Sequence, residues 1–250
     1  MKIILLNLKS YKSVSESIDL VKYMGGFPAE YEIVVAPPLL SLYSLSINQK
    51  TNLHLCAQNF SPVADYGAHT GSVLIKDLKS LGCEYSVIGH SEVRRPNGDM
   101  PGETDALISH KLELCIKNNV IPVLCFGETF EEKSGGNTEN VVCKQLSAVN
   151  KIKPDYMVLA YEPVWAISSN KGSSNCKVGY VEHIASLITD IVPKSMKYKF
   201  LYGGSVDSKN ISEYLSSSYI DGVLIGKAST EKESLESIKK ELKAIPTNKM

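Results

Sequence analysis

The chain reads as an α/β protein of one domain, a (β/α)8 barrel spanning residues 1–250. Three observations carry that reading. Eight short apolar runs, each the length of one strand, recur along the chain; segments with a helical apolar stripe lie between them; and no Pro/Gly/Ser-rich linker separates two halves. Eight such units in 250 residues match a β/α barrel, which often reaches this length undivided. A doubly wound open sheet is the structural alternative. It would prefer a glycine-rich first turn, whereas the first run here leads into NLKSYK with no GxGxxG after it.

In chain order the runs are KIILLNLK from Lys2, EIVVAPP from Glu32, LHLCAQN from Leu53 and EYSVIGH from Glu84. Then come VIPVLCFGE from Val120, YMVLAYEP from Tyr156, YKFLYGG from Tyr198 and DGVLIGKA from Asp221. Several are near-continuous in apolar residues, as strands covered on both faces of a parallel sheet are. Between them, VSESIDLVKYM sets Val14, Ile18, Val21 and Leu20 on one helical stripe. VGYVEHIASLITDIV does the same with Val178, Val181, Ile184, Leu187, Ile188 and Ile191. Asp207 and Ser229 suit helix N-caps. EVRRPNGDMPGETD, with two prolines and two glycines, reads as a long loop, and EEKSGGN from Glu131 as a surface turn.

Composition narrows the function classes. Lys plus Arg and Asp plus Glu both number 27, so no global field draws the chain to nucleic acid or an anionic membrane. Its apolar stretches fall well short of the ~18 residues of a membrane span. The start lacks a full signal-peptide apolar region and a small-residue cleavage site, so it reads as a first buried strand. Cysteines 56, 83, 115, 125, 143 and 176 form no CxxC pair and no zinc spacing. They are expected to be mostly buried thiols in a reducing cytosol, with no metal site.

In a barrel the active site lies at the C-terminal ends of the strands. Those ends carry Asn7 and Lys9, Gln58 and Asn59, then Gly89, His90, Ser91 and Glu92. Cys125 to Glu128 follow, then Tyr161, Glu162 and Pro163, Tyr202 to Ser205, and Gly226, Lys227 and Ala228. Each alone has a plain structural reading. Glu162 could cap a loop or pair with an arginine, Lys9 could be a solvated charge, Glu92 could pair with Arg94 or Arg95, and Gly203 with Gly204 could form a tight turn. A lone histidine is more often structural; His54 and His183 fit that reading mid-strand and mid-helix, and His110 lies in a predicted helix.

Taken in order, NLK, AQN, GAHTG, GHSE, GETD, YEPVWAI, YGGSV and DGVLIGKAS resemble the triosephosphate isomerase family, whose fold is the TIM barrel. The resemblance runs from about residue 2 to residue 240, and YEPVWAI with GHSE and YGGS is its specific part. It implies an isomerase that moves a proton between adjacent carbons of a small phosphorylated triose, with no cofactor. It further implies Glu162 as the base and His90 as a neutral imidazole that polarises the carbonyl, its pKa lowered by a helix N-terminus. Lys9 would stabilise negative charge, Asn7 would hydrogen-bond a substrate oxygen, and Glu92 would orient Lys9. Phosphate would rest on backbone amides near Ser168, Ser205, Gly226 and Lys227. The GAHTG loop from Gly67 to Gly71 would enter a neighbouring subunit of a homodimer, with Thr70 near Asn7 of the partner subunit. Pro163, Val164 and Trp165 would be the stiff hinge of a lid whose tip is 166–170 and whose second hinge is 171–173.

Some positions depart from the family pattern. Leu8 replaces a common tryptophan and His69 a common aromatic residue. Val93 interrupts GHSE and its two arginines, and Pro96 could cut short the helical turn beside His90. Lys227 stands where a second glycine is common; its side chain could add charge beside a phosphate or point outward. Two rivals stay open: another sugar-phosphate barrel enzyme, which has no reason to keep His90 with Glu162, and a catalytically silent barrel serving interactions.

Overall fold

The computed structural model describes residues 1–48, 53–96, 101–167 and 176–246. Among them, β1 (Lys2–Asn7), β2 (Tyr31–Ala36), β3 (His54–Ala57), β4 (Cys83–Ile88), β5 (Ile121–Phe126), β6 (Tyr156–Tyr161), β7 (Lys197–Tyr202) and β8 (Gly222–Ile225) close a barrel. Each predicted run supplies one strand. Every neighbouring pair is parallel, and β1 bonds to both β2 and β8.

The period-two alternation of a strand explains why these runs are apolar throughout. Ile3, Leu5, Val34, Val123, Val158 and Leu224 point into the barrel and pack together. Ile4, Leu6, Val35, Leu124, Leu159 and Val223 point outward and join the larger core beneath the helices. A strand between two cores has no face left for polar residues, so polarity collects at its ends. That places the chemistry at the C-terminal rim.

The helical stripes were partly mistaken in detail. Helix Val14–Met24 has the expected bounds and is opened by a capping box, in which Ser13 and Glu16 satisfy each other's backbone N–H groups. It buries Ser17, Leu20, Val21 and Met24 while leaving Val14 37% exposed, so the core face lies about one residue round from the predicted stripe. Helix Val178–Ile191 buries Val181, Ile184 and Ile188 as predicted, with Val178, Leu187 and Ile191 partly covered. Asp207 is not the N-cap of the helix that follows, Ile211–Ser216; that position is Asn210. Asp207 holds the turn before it, its carboxylate accepting from Lys209 N–H at 2.8 Å and its carbonyl from Ile211 N–H at 3.0 Å.

Ser229 is not a helix cap. It is buried at the end of a 3-10 turn and donates its hydroxyl to Gly226 O at 2.7 Å, while helix Lys232–Ala244 starts after Glu231. EEKSGGN is not wholly a turn either. Thr129 and Glu132 form a second capping box that starts helix Phe130–Ser134, and only the glycines beyond it turn. The loop after β4 begins with helix Ser91–Arg94, which ends at extended Arg95 before Pro96, as the residue preceding a proline must. His54 opens β3 instead of lying within it, and its Nδ1 is 2.9 Å from Glu84.

Candidate active site

Lys9 follows β1 at φ 48°, in the left-handed region that costs a side-chain-bearing residue about 1–2 kcal/mol. Two contacts hold it there. Its N–H donates to Asn7 Oδ1 at 3.0 Å, and its carbonyl accepts from Gln58 Nε2 at 2.9 Å. Its ammonium reaches Glu92 Oε1 at 2.6 Å, so Glu92 pairs with Lys9.

His90 is the N-cap of helix Ser91–Arg94, and its Nδ1 accepts from Glu92 N–H at 3.1 Å. A ring nitrogen that accepts carries no proton, so the proton of this imidazole belongs on Nε2. That atom lies 3.2 Å from Glu162 Oε1, and both side chains are buried. Pro96 therefore shortens the turn without removing the amide that sets the tautomer.

Glu162 emerges from β6 where its N–H donates to Phe126 O at 2.7 Å, and its Oε2 accepts from Ser91 N–H at 3.3 Å. Gly203 lets the carboxylate lie close to β7, since a side-chain carbon there would stand 2.8 Å from Glu162 Cγ. Below it, burial and then the nearby carboxylate push the Cys125 thiol well up, so it stays protonated and is no nucleophile.

A cavity of about 330 Å³ opens on Asn7, Lys9, Gln58, Asn59, His90 and Glu92. A narrow recess of about 20 Å³ continues from Lys9 and His90 to Glu162, Gly203, Gly204, Gly226 and Lys227. Asn7, Lys9, His90, Glu92, Glu162, Gly226 and Lys227 are thus brought to one rim. Ser205 follows Gly204 but does not line either space. Ser168, the tip at 168–170 and the second hinge at 171–173 lie outside the described residues. So does 97–100 of the long loop.

Three residues in supporting roles had no assignment from sequence. Arg94 donates to Gly89 O at 2.6 Å, Cys125 O at 3.1 Å and Asp105 Oδ1 at 2.8 Å, tying the ends of β4 and β5 to the next helix. Lys111 is buried, pairs with Glu103 and donates to Asn59 Oδ1 at 2.7 Å, which props Asn59 at the cavity. Glu128 is fully buried and accepts from Tyr161 hydroxyl at 2.9 Å and Trp165 Nε1 at 2.9 Å. A glutamate followed by an aromatic-rich hinge was the available signal.

A buried carboxylate touching an Nε2-protonated imidazole, beside an oriented ammonium, can take a proton from carbon while donating a hydrogen bond to an adjacent oxygen. Comparison with known proteins gives the family. A family model described as triosephosphate isomerase matches residues 2–242. The chain is 39% identical to the triosephosphate isomerase of Dictyoglomus thermophilum, covering 96% of this chain and 98% of that protein. It is 38% identical to that of Dictyoglomus turgidum (95% and 98%) and 37% identical to that of Clostridium tetani (93% of each).

Proposed function

The chain belongs to the triosephosphate isomerase family, and on that premise we propose that Glu162, His90, Lys9, Asn7 and Glu92 are its catalytic group. The enzyme is an isomerase that interconverts dihydroxyacetone phosphate and D-glyceraldehyde 3-phosphate through an enediol(ate), a step of glycolysis and gluconeogenesis. Glu162 takes the proton from one carbon and returns it to the next. His90 Nε2–H polarises the carbonyl and moves protons between the two oxygens. Lys9, oriented by Glu92, stabilises the negative charge that develops. Asn7 spends Oδ1 on Lys9 N–H and keeps its amide NH2 for a substrate oxygen. One carbon is oxidised as its neighbour is reduced within the same molecule, so the reaction calls for no external redox cofactor.

The observation that carries this reading is the 3.2 Å contact of Glu162 Oε1 with His90 Nε2, with Nδ1 already engaged by Glu92 N–H. Substrate carbon and oxygen enter between the two groups by parting them. The phosphate is assigned to backbone amides at Ser168, Ser205, Gly226 and Lys227, where glycine lets the chain approach closely. In a coupled assay with glyceraldehyde 3-phosphate, Glu162→Gln is expected to lower kcat roughly 10²–10⁴-fold. Activity within twofold of wild type would remove Glu162 from its role.

The acting unit is further proposed to be one 1–250 domain in a cytoplasmic homodimer, with no nucleic-acid or membrane partner. Residues 65–71 are exposed without a break, including Tyr66 at 68%, as suits a loop that inserts into a second copy. Among the described residues no helix is long and apolar enough to cross a membrane. Light scattering at micromolar concentration should give twice the chain mass; a monomer would refute the interlocked loop.

A further inference from the structure

The only tryptophan of the chain stands three residues after Glu162 and is held on two sides. At its edge, Nε1 donates to the buried Glu128 at 2.9 Å, and Glu128 O also accepts from Val164 N–H at 2.9 Å. Over its face stands Lys133, with Nζ 3.3 Å from the indole centroid and 4.7 Å from that of Tyr180. The Tyr180 ring meets the indole edge-on, and its hydroxyl donates to the same Glu128 at 3.3 Å. The segment between is stiff: Pro163 fixes one backbone angle, and Ala166 N–H closes a 3-10 turn on Pro163 O at 2.8 Å.

We infer that Lys133 is a positioning residue for the isomerisation, a cation that pins Trp165 and through it the backbone bearing Glu162. An ammonium over an indole face is attracted by the ring quadrupole, more strongly where water is scarce. Lys133 lies in helix Phe130–Ser134, whose capping box anchors it independently of the active site. The indole therefore cannot shift without leaving both the cation and the Glu128 carboxylate. A loosened Trp165 lets Glu162 drift from the position that meets substrate carbon, and displacements of about 1 Å can cost up to roughly 10²-fold in rate. Lys133 touches no reacting atom in this account. The inference rests on Glu162 being the base, yet its first readout is independent of that assignment.

The test uses the full-length chain with Lys133→Met, Lys133→Gln and Lys133→Arg. Trp165 is the sole tryptophan, so emission reports this contact directly. An ammonium against an excited indole quenches it by proton transfer, and emission should rise in the Met and Gln variants. Their kcat should fall roughly tenfold, with KM within about twofold and melting temperature little changed. Arg, which stacks on aromatic faces and keeps the charge, should restore kcat. Unchanged emission in the Met and Gln variants would overturn the contact. A kcat within twofold of wild type, or an Arg variant as slow as Met, would overturn the positioning role. If Met does not fold, the same readings on Gln decide. An active Glu162→Gln enzyme would fault the base assignment separately, whatever the emission shows.

Discussion

At the scale of single residues, the rim is built from side chains whose polar atoms are already committed to one another. Asn7 holds Lys9, Glu92 holds the Lys9 ammonium, and a Glu92 amide holds His90. Preorganisation of this kind is what makes fixed donors worth more than mobile water around a developing charge. Lys227 differs: it is exposed at the recess, and no ion pair engages it among the described residues. Its ammonium can add attraction for a substrate dianion, screened because it faces solvent. Lys227→Met should therefore raise KM roughly two- to fivefold with kcat nearly unchanged. The difference from wild type should shrink as ionic strength rises. Steady-state kinetics in low and high salt check this, and a kcat effect without a KM effect would show that the side chain acts otherwise.

At the scale of elements, the decisive piece is helix Ser91–Arg94, a single turn that supplies the amide for His90 and the carboxylate for Lys9. So short a helix has little stability of its own. It is held by Arg94, whose guanidinium reaches three elements at once with 2.6–3.1 Å bonds. Lysine cannot reproduce that planar fork. Arg94→Lys is expected to cost about 1–3 kcal/mol of stability, read by urea unfolding, and to lower kcat/KM by about tenfold as His90 loses its fixed orientation. Wild-type values for both would show that the turn is held by other contacts. Lys133 also stands on a short helix, and there the capping box of Thr129 and Glu132 fixes the mount of the cation.

At the scale of the whole molecule, two nested cores bury many groups that ionise only at alkaline pH. Burial pushes Tyr31, Tyr156 and Tyr214 up to about 12, and the Cys83 and Cys176 thiols to about 12 as well. Tyr161, Tyr202, Cys56 and Cys125 are raised further, again chiefly by burial. Each such group binds its proton more tightly folded than unfolded. Its contribution is fully present below the unfolded pKa, about 8.5 for thiols and 10 for phenols, and is lost as pH rises toward the folded value. Lys2 works the other way, since burial lowers its pKa and its cost lifts at high pH. One lysine is outweighed by the tyrosines and thiols together. Stability from denaturant melts should therefore fall continuously from about pH 9 to 11; a flat or rising profile would contradict this.

Much of this was legible from residue order alone. Eight apolar runs separated by amphipathic segments leave few ways to bury both faces of a parallel sheet, and polarity at the strand ends locates the site. GHSE and YEPVWAI pointed to His90 and Glu162 as residue types at strand ends. Other features depend on groups far apart in the chain. Nothing local to Ser229 says that Gly226 O will take its hydroxyl, and nothing near Lys133 says that an indole 32 positions later will lie beneath it. The sequence by itself determined the alternation of strand and helix, the barrel and the family. Only the tertiary structure decided which nitrogen of His90 accepts, which carboxylate Lys9 meets and what pins Trp165. Periodicity is a property of neighbours along the chain, whereas hydrogen bonds and ring contacts depend on distances that close only when the barrel does.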